Sequence, residues 1–278
     1  MMNAARTTLT KARNRPDMGA QDKHWKTVCG IELFKVEYRL KEFLYKTFGI
    51  TLPKLRDQRD YWAWRGNAYR DEILASGYLD REVFFQDLIM RELAEQRYES
   101  AFEAGCGFGW NVKRAKEEFP WMRVGGLDFS LPQLRNMRDY KPQLDIGAAQ
   151  ADACAMPFKD DAFDVGFTLG VFMNLHPGII LHALSEMVRV CRRRIVHVEW
   201  SARHATKDLV DKRAFKTNIV SHDYDDLYAT LGVKPAKILT YHDFGQAFRE
   251  HERRTSTRLD RWEGFEGADK YTIYVFDL

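Results

Sequence analysis

Two hydrophobic periods divide this chain. In the segment ELFKVEYRLKEFLYKTFGI, Leu33, Val36, Leu40, Phe43, Leu44 and Phe48 recur at helical spacing, and Gly49 sits where a helix stops. This pattern predicts an amphipathic helix from about Trp25 onward, most simply a packing or capping element. DYWAWRGNAYRDEI and DREVFFQDLIMRELAEQ predict two further helices, the second with Val83, Phe84, Leu88, Ile89 and Leu93 on one side. From Tyr98 onward the period changes. YESAFEAG, MRVGGLDF, IGAAQADA, FDVGFTLGVF, RIVHVEW, KILTYHDF and TIYVFDL read as seven strands, and WNVKRAKEEF, LPQLRNMRDY, PGIILHALSEMVRVCRR and HDYDDLYATLG read as the helices between them.

Strands that alternate with helices imply a parallel sheet covered on both faces, because crossovers are right-handed and leave few other topologies. Residues 243–270 are charged and irregular, so the seventh strand is expected to run antiparallel beside the sixth. The expected architecture is thus an α/β, doubly wound, mostly parallel seven-stranded sheet with an N-terminal helical cap. Its expected divisions are a basic extension with an amphipathic helix (1–56), a helical cap (57–97) and a ligand-binding α/β domain (98–278).

The loop after the first of these strands, FEAGCGFGWN, places Gly105, Gly107 and Gly109 at alternate positions between a strand and a helix. Glycines so spaced weaken either element, so the backbone there must be bare for a reason, and close approach of a ligand is the expected one. In a doubly wound sheet this loop is the usual ligand contact. A dinucleotide fingerprint needs glycine at the first, third and sixth positions; counted from Gly105, the sixth is Trp110. Glu103 beside the loop would repel a pyrophosphate but suits a ligand with an ammonium and a sulfonium, as in S-adenosylmethionine. Asp128 ends the second strand, where a carboxylate can accept from both ribose hydroxyls, and Phe129 offers a face to adenine. Asp152, after the third strand, can accept from the adenine amino group. Each acid also has a plainer use: Asp128 can cap the helix starting at Ser130, and Asp152 can begin a turn.

EAGCGFG, GLDFS, ADACAMPFKDDAFDVGFTLGVFMNLHP and EMVRVCRRRIVHVEW, in that order, resemble the class I S-adenosylmethionine-dependent methyltransferases over roughly residues 98–278. The resemblance implies donor contacts at Trp62, Tyr69, Glu103, Gly105, Cys106, Gly107, Asp128, Phe129, Asp152, Ala153 and Leu169, with no metal. Aromatic faces near the sulfonium, from Trp62, Tyr69 or Phe172, would each stabilise the cation by about 0.5–2 kcal/mol, although Phe172 also reads as core packing. The loop TLGVFMNLHPG is where the methyl group should emerge. His176 within it can act as a base, with His222, Asp223, Glu199 and Trp200 as other candidates. DYWAWRGNAYRDEI with REVFFQDLI resembles the cap of a bacterial subgroup that includes the pseudaminic acid biosynthesis-associated methylases. That likeness implies a sugar or other small polar acceptor. TLGVF stands where N6-adenine and glutamine methyltransferases carry an NPPY-like motif.

Charge adds one alternative. Residues 1–56 hold 12 Lys or Arg against 5 Asp or Glu, a balance of +7 within a total of +3, so the main body is slightly acidic. A nucleic acid or protein acceptor would use that leader and Arg192–Arg194 as a contact patch, although these arginines also read as the solvated last turn of a helix. A nicotinamide oxidoreductase and a non-catalytic binding module on the same fold are the remaining rivals. Cys29, Cys106, Cys154 and Cys191 have no short spacing, which argues against zinc and disulfides. With no long apolar run and no secretory leader, a cytoplasmic chain without membrane contact is expected.

Overall fold

The computed structural model describes residues 27–50, 58–217, 219–256 and 271–278. Packing divides the chain into two units, Met1–Leu40 and Lys41–Leu278. In the first, β1 (Thr27–Val28) and β2 (Ile31–Glu32) form an antiparallel hairpin around Cys29 and Gly30, whose φ values of 51° and 78° make a two-residue reversal. The predicted amphipathic helix therefore begins only at Leu33, as α1 (Leu33–Phe48). Its expected packing stripe faces outward: Leu33, Val36, Leu40, Phe43 and Phe48 are exposed, whereas Tyr38 is buried. The first 26 residues of the basic extension lie outside the described residues.

The second unit takes in the end of α1 from Lys41 and continues with α2 (Gln58–Ser76) and α3 (Tyr78–Ala94), which meet at Gly77 in the left-handed region. Then come β3 (Ser100–Ala104), α4 (Trp110–Glu118), β4 (Arg123–Asp128), α5 (Leu131–Asp139), β5 (Gly147–Gln150), β6 (Phe163–Leu169) and α6 (Ile180–Val190). The chain continues through β7 (Cys191–Glu199), α7 (Lys207–Thr217), α8 (Tyr224–Thr230), β8 (Pro235–Leu239), α9 (Gly245–Thr255) and β9 (Thr272–Asp277). The sheet order is β5-β4-β3-β6-β7-β9-β8. All pairings are parallel except those of β9, which runs antiparallel between β7 and β8, as the charged connection before it implied. The order reverses between β3 and β6, so the carboxyl ends of these two central strands flank a crevice.

Both faces of the sheet are covered, which is why β3 is buried along its whole length. Val196 and Val198 of β7 enter the core shared with α3, α4 and α9, and Ile195 enters the one shared with α6 and α8. Gly166 of β6 marks a tight point: a Cβ there would lie 2.5 Å from Cys191 Sγ and 2.7 Å from a Phe102 ring carbon.

Two expectations change. Arg192–Arg194 are not a helix end, because α6 passes into β7 without a loop and the arginines open the strand. Arg192 pairs with Asp164 at 2.7 Å, the Arg193 guanidinium lies 4.8 Å over the Tyr98 ring, and Arg194, almost fully buried, pairs with Glu95 and Asp277 at 2.6 and 2.8 Å. The triplet is therefore consumed in tying β7 to its neighbours. Within the segment expected to be irregular, α9 is a helix that buries Phe248 against Phe84 and Phe85 of α3; residues 257–270 lie outside the described residues. Among the described residues no helix is long and apolar enough to cross a membrane.

Gly166→Ala should overpack the junction of β6, β7 and α6 and cost about 1–3 kcal/mol. Urea unfolding followed by circular dichroism would show this as a lower midpoint with the native spectrum retained.

Candidate functional site

A cavity opens at the carboxyl ends of β3, β4 and β6. Every donor contact named from the sequence lies on its wall: Trp62 and Tyr69 from α2, Glu103 to Gly107 around the glycine loop, Asp128 and Phe129 after β4, Asp152 and Ala153 after β5, and Leu169 at the tip of β6. His176 does not line it.

The glycines earn their place in a different way from the expected one. Gly105, Gly107 and Gly109 all have positive φ, 73°, 52° and 83°, a region that side chains disfavour. A Cβ on Gly105 would lie 2.3 Å from a Val171 methyl, and one on Gly109 would lie 2.7 Å from Met137 Cγ. Protein packing by itself thus forbids a side chain at both. Only at Gly107 is there room, with the Gln133 amide 3.7 Å away. The N–H groups of Gly105 and Cys106 both donate to the Leu127 carbonyl, at 2.7 and 2.9 Å, which pins the loop to the end of β4.

Asp128 fastens the other side of that loop. Its Oδ2 accepts from the Gly107 N–H at 2.9 Å and its Oδ1 from the Ser130 N–H at 2.8 Å. Burial raises its pKa and these two bonds oppose the rise. Asp128 therefore does hold the start of α5, and it also faces the cavity. Asp152 likewise does both: its Oδ1 accepts from the Cys154 N–H at 2.9 Å in a turn, while the residue lines the wall.

Glu103 differs. It is almost wholly buried, and its Oε1 accepts from Asn111 Nδ2 at 2.7 Å. Asn111 is oriented in turn by Gln86 Nε2 at 3.0 Å, and Gln86 by Arg114 Nη1 at 2.8 Å. Glu103 Oε2 is buried without a hydrogen-bond partner. Burial, with the nearby Asp128 charge adding to it, pushes this carboxyl up to about 8. An acid so held on a cavity wall is a place for a cationic group.

The cap supplies the roof. Gly66 of α2 lets the helix approach α5 closely, since a Cβ there would meet Ser130 Oγ at 2.8 Å and Gln133 Cγ at 3.2 Å. The Trp62 carbonyl accepts from Ser130 Oγ and the Gly66 carbonyl from Asn136 Nδ2. These contacts set Trp62 and Tyr69 edge to face, with centroids 5.3 Å apart, over the cavity. Burial pushes the Tyr69 hydroxyl up to about 12, so it remains a donor.

Sequence reasoning missed several wall residues, among them Tyr78, Asn111, Gln133, Asn174 and Tyr271. Tyr78 and Tyr271 come from opposite ends of the unit and share a hydrogen bond. The Tyr271 hydroxyl reaches Gly170, where a Cβ would meet it at 2.9 Å. Asn111 was legible in principle as a polar residue one position inside the helix after the glycine loop; Tyr271 had no local signal.

The remaining candidates fall outside the wall. His176 is exposed, and its Nδ1 accepts from the Gly178 N–H at 3.0 Å, although Asn174 and Leu175 of the same loop do line the cavity. Phe172 is fully buried against His197, the packing role. His222 Nε2 donates to the Leu175 carbonyl at 3.1 Å, Asp223 caps α8 and pairs with Arg203, and Trp200 lies under the Arg213 guanidinium. Glu199 accepts three backbone N–H groups.

Residues 101–194 match a protein family described as a methyltransferase domain. Solved structures with the same fold include magnesium protoporphyrin IX methyltransferase of Synechocystis PCC 6803 with bound SAH, at 16% identity and a TM-score of 0.57, covering 79% of this chain and 97% of that one. Geranyl diphosphate C-methyltransferase of Streptomyces coelicolor A3(2), in complex with Mg2+, geranyl diphosphate and S-adenosyl-L-homocysteine, is similar at 17% identity and a TM-score of 0.54, covering 69% and 78%. A putative methyltransferase in complex with the Haloferax volcanii Trm112 activator is similar at 18% identity and a TM-score of 0.55, covering 80% and 98%. No curated protein sequence matches the chain.

The raised Glu103 pKa has a consequence for stability. Below about pH 4.5 the carboxyl is protonated in both folded and unfolded chains. As pH rises toward 8 only the unfolded chain ionises there, so this residue makes the fold progressively less stable across that window. Glu103→Gln should remove the decline. Calorimetric Tm values at pH 5 and pH 8, without ligand, should show the variant gaining on the wild type at the higher pH.

Proposed function

We propose that this chain is an S-adenosylmethionine-dependent methyltransferase that methylates a small polar acceptor, a sugar or related metabolite; the family match over residues 101–194 and the fold support the reading. The observation that carries the donor assignment is the buried, unpartnered Glu103 Oε2 on a cavity wall. The residues present fit the donor. Glu103 would hold its ammonium, Asp128 its ribose hydroxyls, and Asp152 its adenine amino group beside the Phe129 ring and Ala153. Trp62 and Tyr69 would face its cationic end.

When bound, S-adenosylmethionine supplies a sulfonium methyl group to a nucleophile by in-line displacement. The protein's task is then placement, which can lower the barrier by roughly 7–11 kcal/mol when the geometry is right. The rigid wall, Leu169 to Leu175 on one side and the glycine loop on the other, performs that placement. The cap over Trp62 and Tyr69 excludes water.

Three observations support the small polar acceptor. The cavity reaches the hydroxyls of Tyr78 and Tyr271 beside Gly170, within a wall of aromatic rings that suits a polyol with apolar faces. The cap segment 60–89 resembles that of methylases acting in sugar biosynthesis. Two similar folds carry names of enzymes acting on small molecules, magnesium protoporphyrin IX and geranyl diphosphate. The alternative of a nucleic acid or protein acceptor loses one of its two supports, since Arg192–Arg194 are engaged within the protein. Its other support, the basic leader, lies mostly outside the described residues. His176 stands at the rim of the same loop, so a base role would need the acceptor to extend to the mouth.

Calorimetric titration should show S-adenosylhomocysteine binding and NADH failing to bind; the reverse would overturn the assignment. Glu103→Gln and Asp128→Ala should each weaken S-adenosylhomocysteine by about tenfold or more, the equivalent of 1.4 kcal/mol. At pH 7 the Glu103 carboxyl of the free protein carries a proton, and an ammonium beside it favours the carboxylate, so binding should release a proton. Titrations in two buffers of different ionisation enthalpy would detect the release, which Glu103→Gln should abolish. His176→Asn should leave that affinity unchanged, and transfer of a labelled methyl group to a panel of neutral sugars and metabolites, in wild type and variant, would identify the acceptor class and test the histidine.

A further inference from the structure

The loop after β6 holds itself only in part, through Asn174 Nδ2 donating to the Gly170 and Val171 carbonyls at 3.1 Å each. Its Phe172–Asn174 turn begins with consecutive N–H groups that lack helical partners. Glu199, at the tip of β7 and fully buried, takes three of them: Val171 and Phe172 donate to Oε1 at 2.9 and 3.0 Å, and Met173 donates to Oε2 at 3.0 Å. Behind Glu199 runs a line of buried polar groups. The Thr168 hydroxyl bonds to Glu199, Thr168 Oγ1 lies 2.8 Å from His197 Nδ1, and His197 Nε2 lies 2.5 Å from the Tyr228 hydroxyl. Thr168 and His197 sit directly opposite each other in the β6–β7 register.

With Glu199 ionised, the form that its four donors favour although burial pushes its pKa up, counting protons fixes the direction of this line. An ionised Glu199 only accepts, so the one hydroxyl proton of Thr168 must point to it. Thr168 Oγ1 must then accept from His197 Nδ1–H. That leaves His197 Nε2 as an acceptor, and Tyr228 donates to it. Each donor points along the line toward the carboxylate, and none is left unmade.

At the other end, the loop is part of the cavity. Gly170, Val171, Asn174 and Leu175 line it, and the Val171 methyls occupy the space that a Gly105 side chain would need. We propose that Glu199 is a positioning residue that fixes the wall of the donor cavity through the Val171–Met173 amides, and that Thr168, His197 and Tyr228 fix Glu199. This rests on the donor reading given above only for its effect on binding; the effect on the loop stands without it.

The test is amide hydrogen exchange on the donor-free protein together with S-adenosylhomocysteine calorimetry, in wild type, Glu199→Gln, Thr168→Val and Thr168→Ser. In the wild type the Val171, Phe172 and Met173 amides should be protected, and long-range proton–nitrogen spectra should show His197 as the Nδ1–H tautomer. Glu199→Gln and Thr168→Val should lose that protection while the Val196 and Val198 amides of β7 keep theirs, and should weaken S-adenosylhomocysteine by tenfold or more and by a few-fold respectively. Thr168→Ser, which retains the hydroxyl, should restore both to within about twofold. Should Glu199→Gln fail to fold, the two Thr168 variants decide the matter. Unchanged protection in Thr168→Val, loss in Thr168→Ser equal to that in Thr168→Val, or an Nε2–H tautomer at His197 would overturn the inference. A wild type that binds no S-adenosylhomocysteine would sink the donor reading alone, with the exchange data still deciding the role of Glu199.

Discussion

A carboxylate buried at the end of a parallel strand must find donors, and at the carboxyl edge of this sheet the nearest donors are the backbone N–H groups of the neighbouring loops. That constraint shapes the whole site. Asp128 takes an N–H from the glycine loop and one from the start of α5, so the loop after β3 is fastened to the loop after β4. Glu199 takes three from the loop after β6, so that loop is fastened to β7. Glu103, placed between these two, is the exception. Its one oxygen is satisfied by Asn111 and its other is not. The same chemistry that builds the walls from satisfied acids leaves this one acid on the cavity wall unsatisfied.

The parts of this arrangement that repeat along the chain were legible in the sequence. Strands and helices alternated with clear periods, the antiparallel last strand followed from a charged connection, and Glu103, Asp128 and Asp152 were visible because each closes an apolar run. The purpose of the glycines was not, since it depends on Val171 and Met137, which lie 66 and 28 residues further on. Tyr78 and Tyr271 were hidden for the same reason: they meet only when β9 enters the sheet between β7 and β8.

The misreadings have local causes. Three arginines after an amphipathic helix look like a solvated last turn, because only the fold shows that α6 becomes β7 with no intervening residue and that Asp164, Glu95 and Asp277 await them. Cys29–Gly30 interrupts what looks like one helical run, because a two-residue reversal consumes positions that carry no strong turn signal. In α9 Arg249, Glu250, Arg253 and Arg254, which made the segment look irregular, sit on the outer face of a helix whose inner face is Phe248, His251 and Glu252.

The two loops that flank the switch point are also keyed to each other, and this bears on how the site works. Val171 fits where Gly105 has no side chain, so neither loop can move far without the other. One loop is anchored through Asp128 to β4, the other through Glu199 to β7, and the sheet holds β4 and β7 at a fixed separation through β3 and β6. A cavity bounded this way is formed before any ligand arrives. Ordering costs that would otherwise be met on binding are met on folding, where the desolvated Glu103 reduces stability and the tight sheet offsets it. The part of the wall that does not rest on the sheet is α2, whose Trp62 and Tyr69 are held over the cavity by bonds to α5, whereas Tyr78 starts a helix packed on β6 and β7.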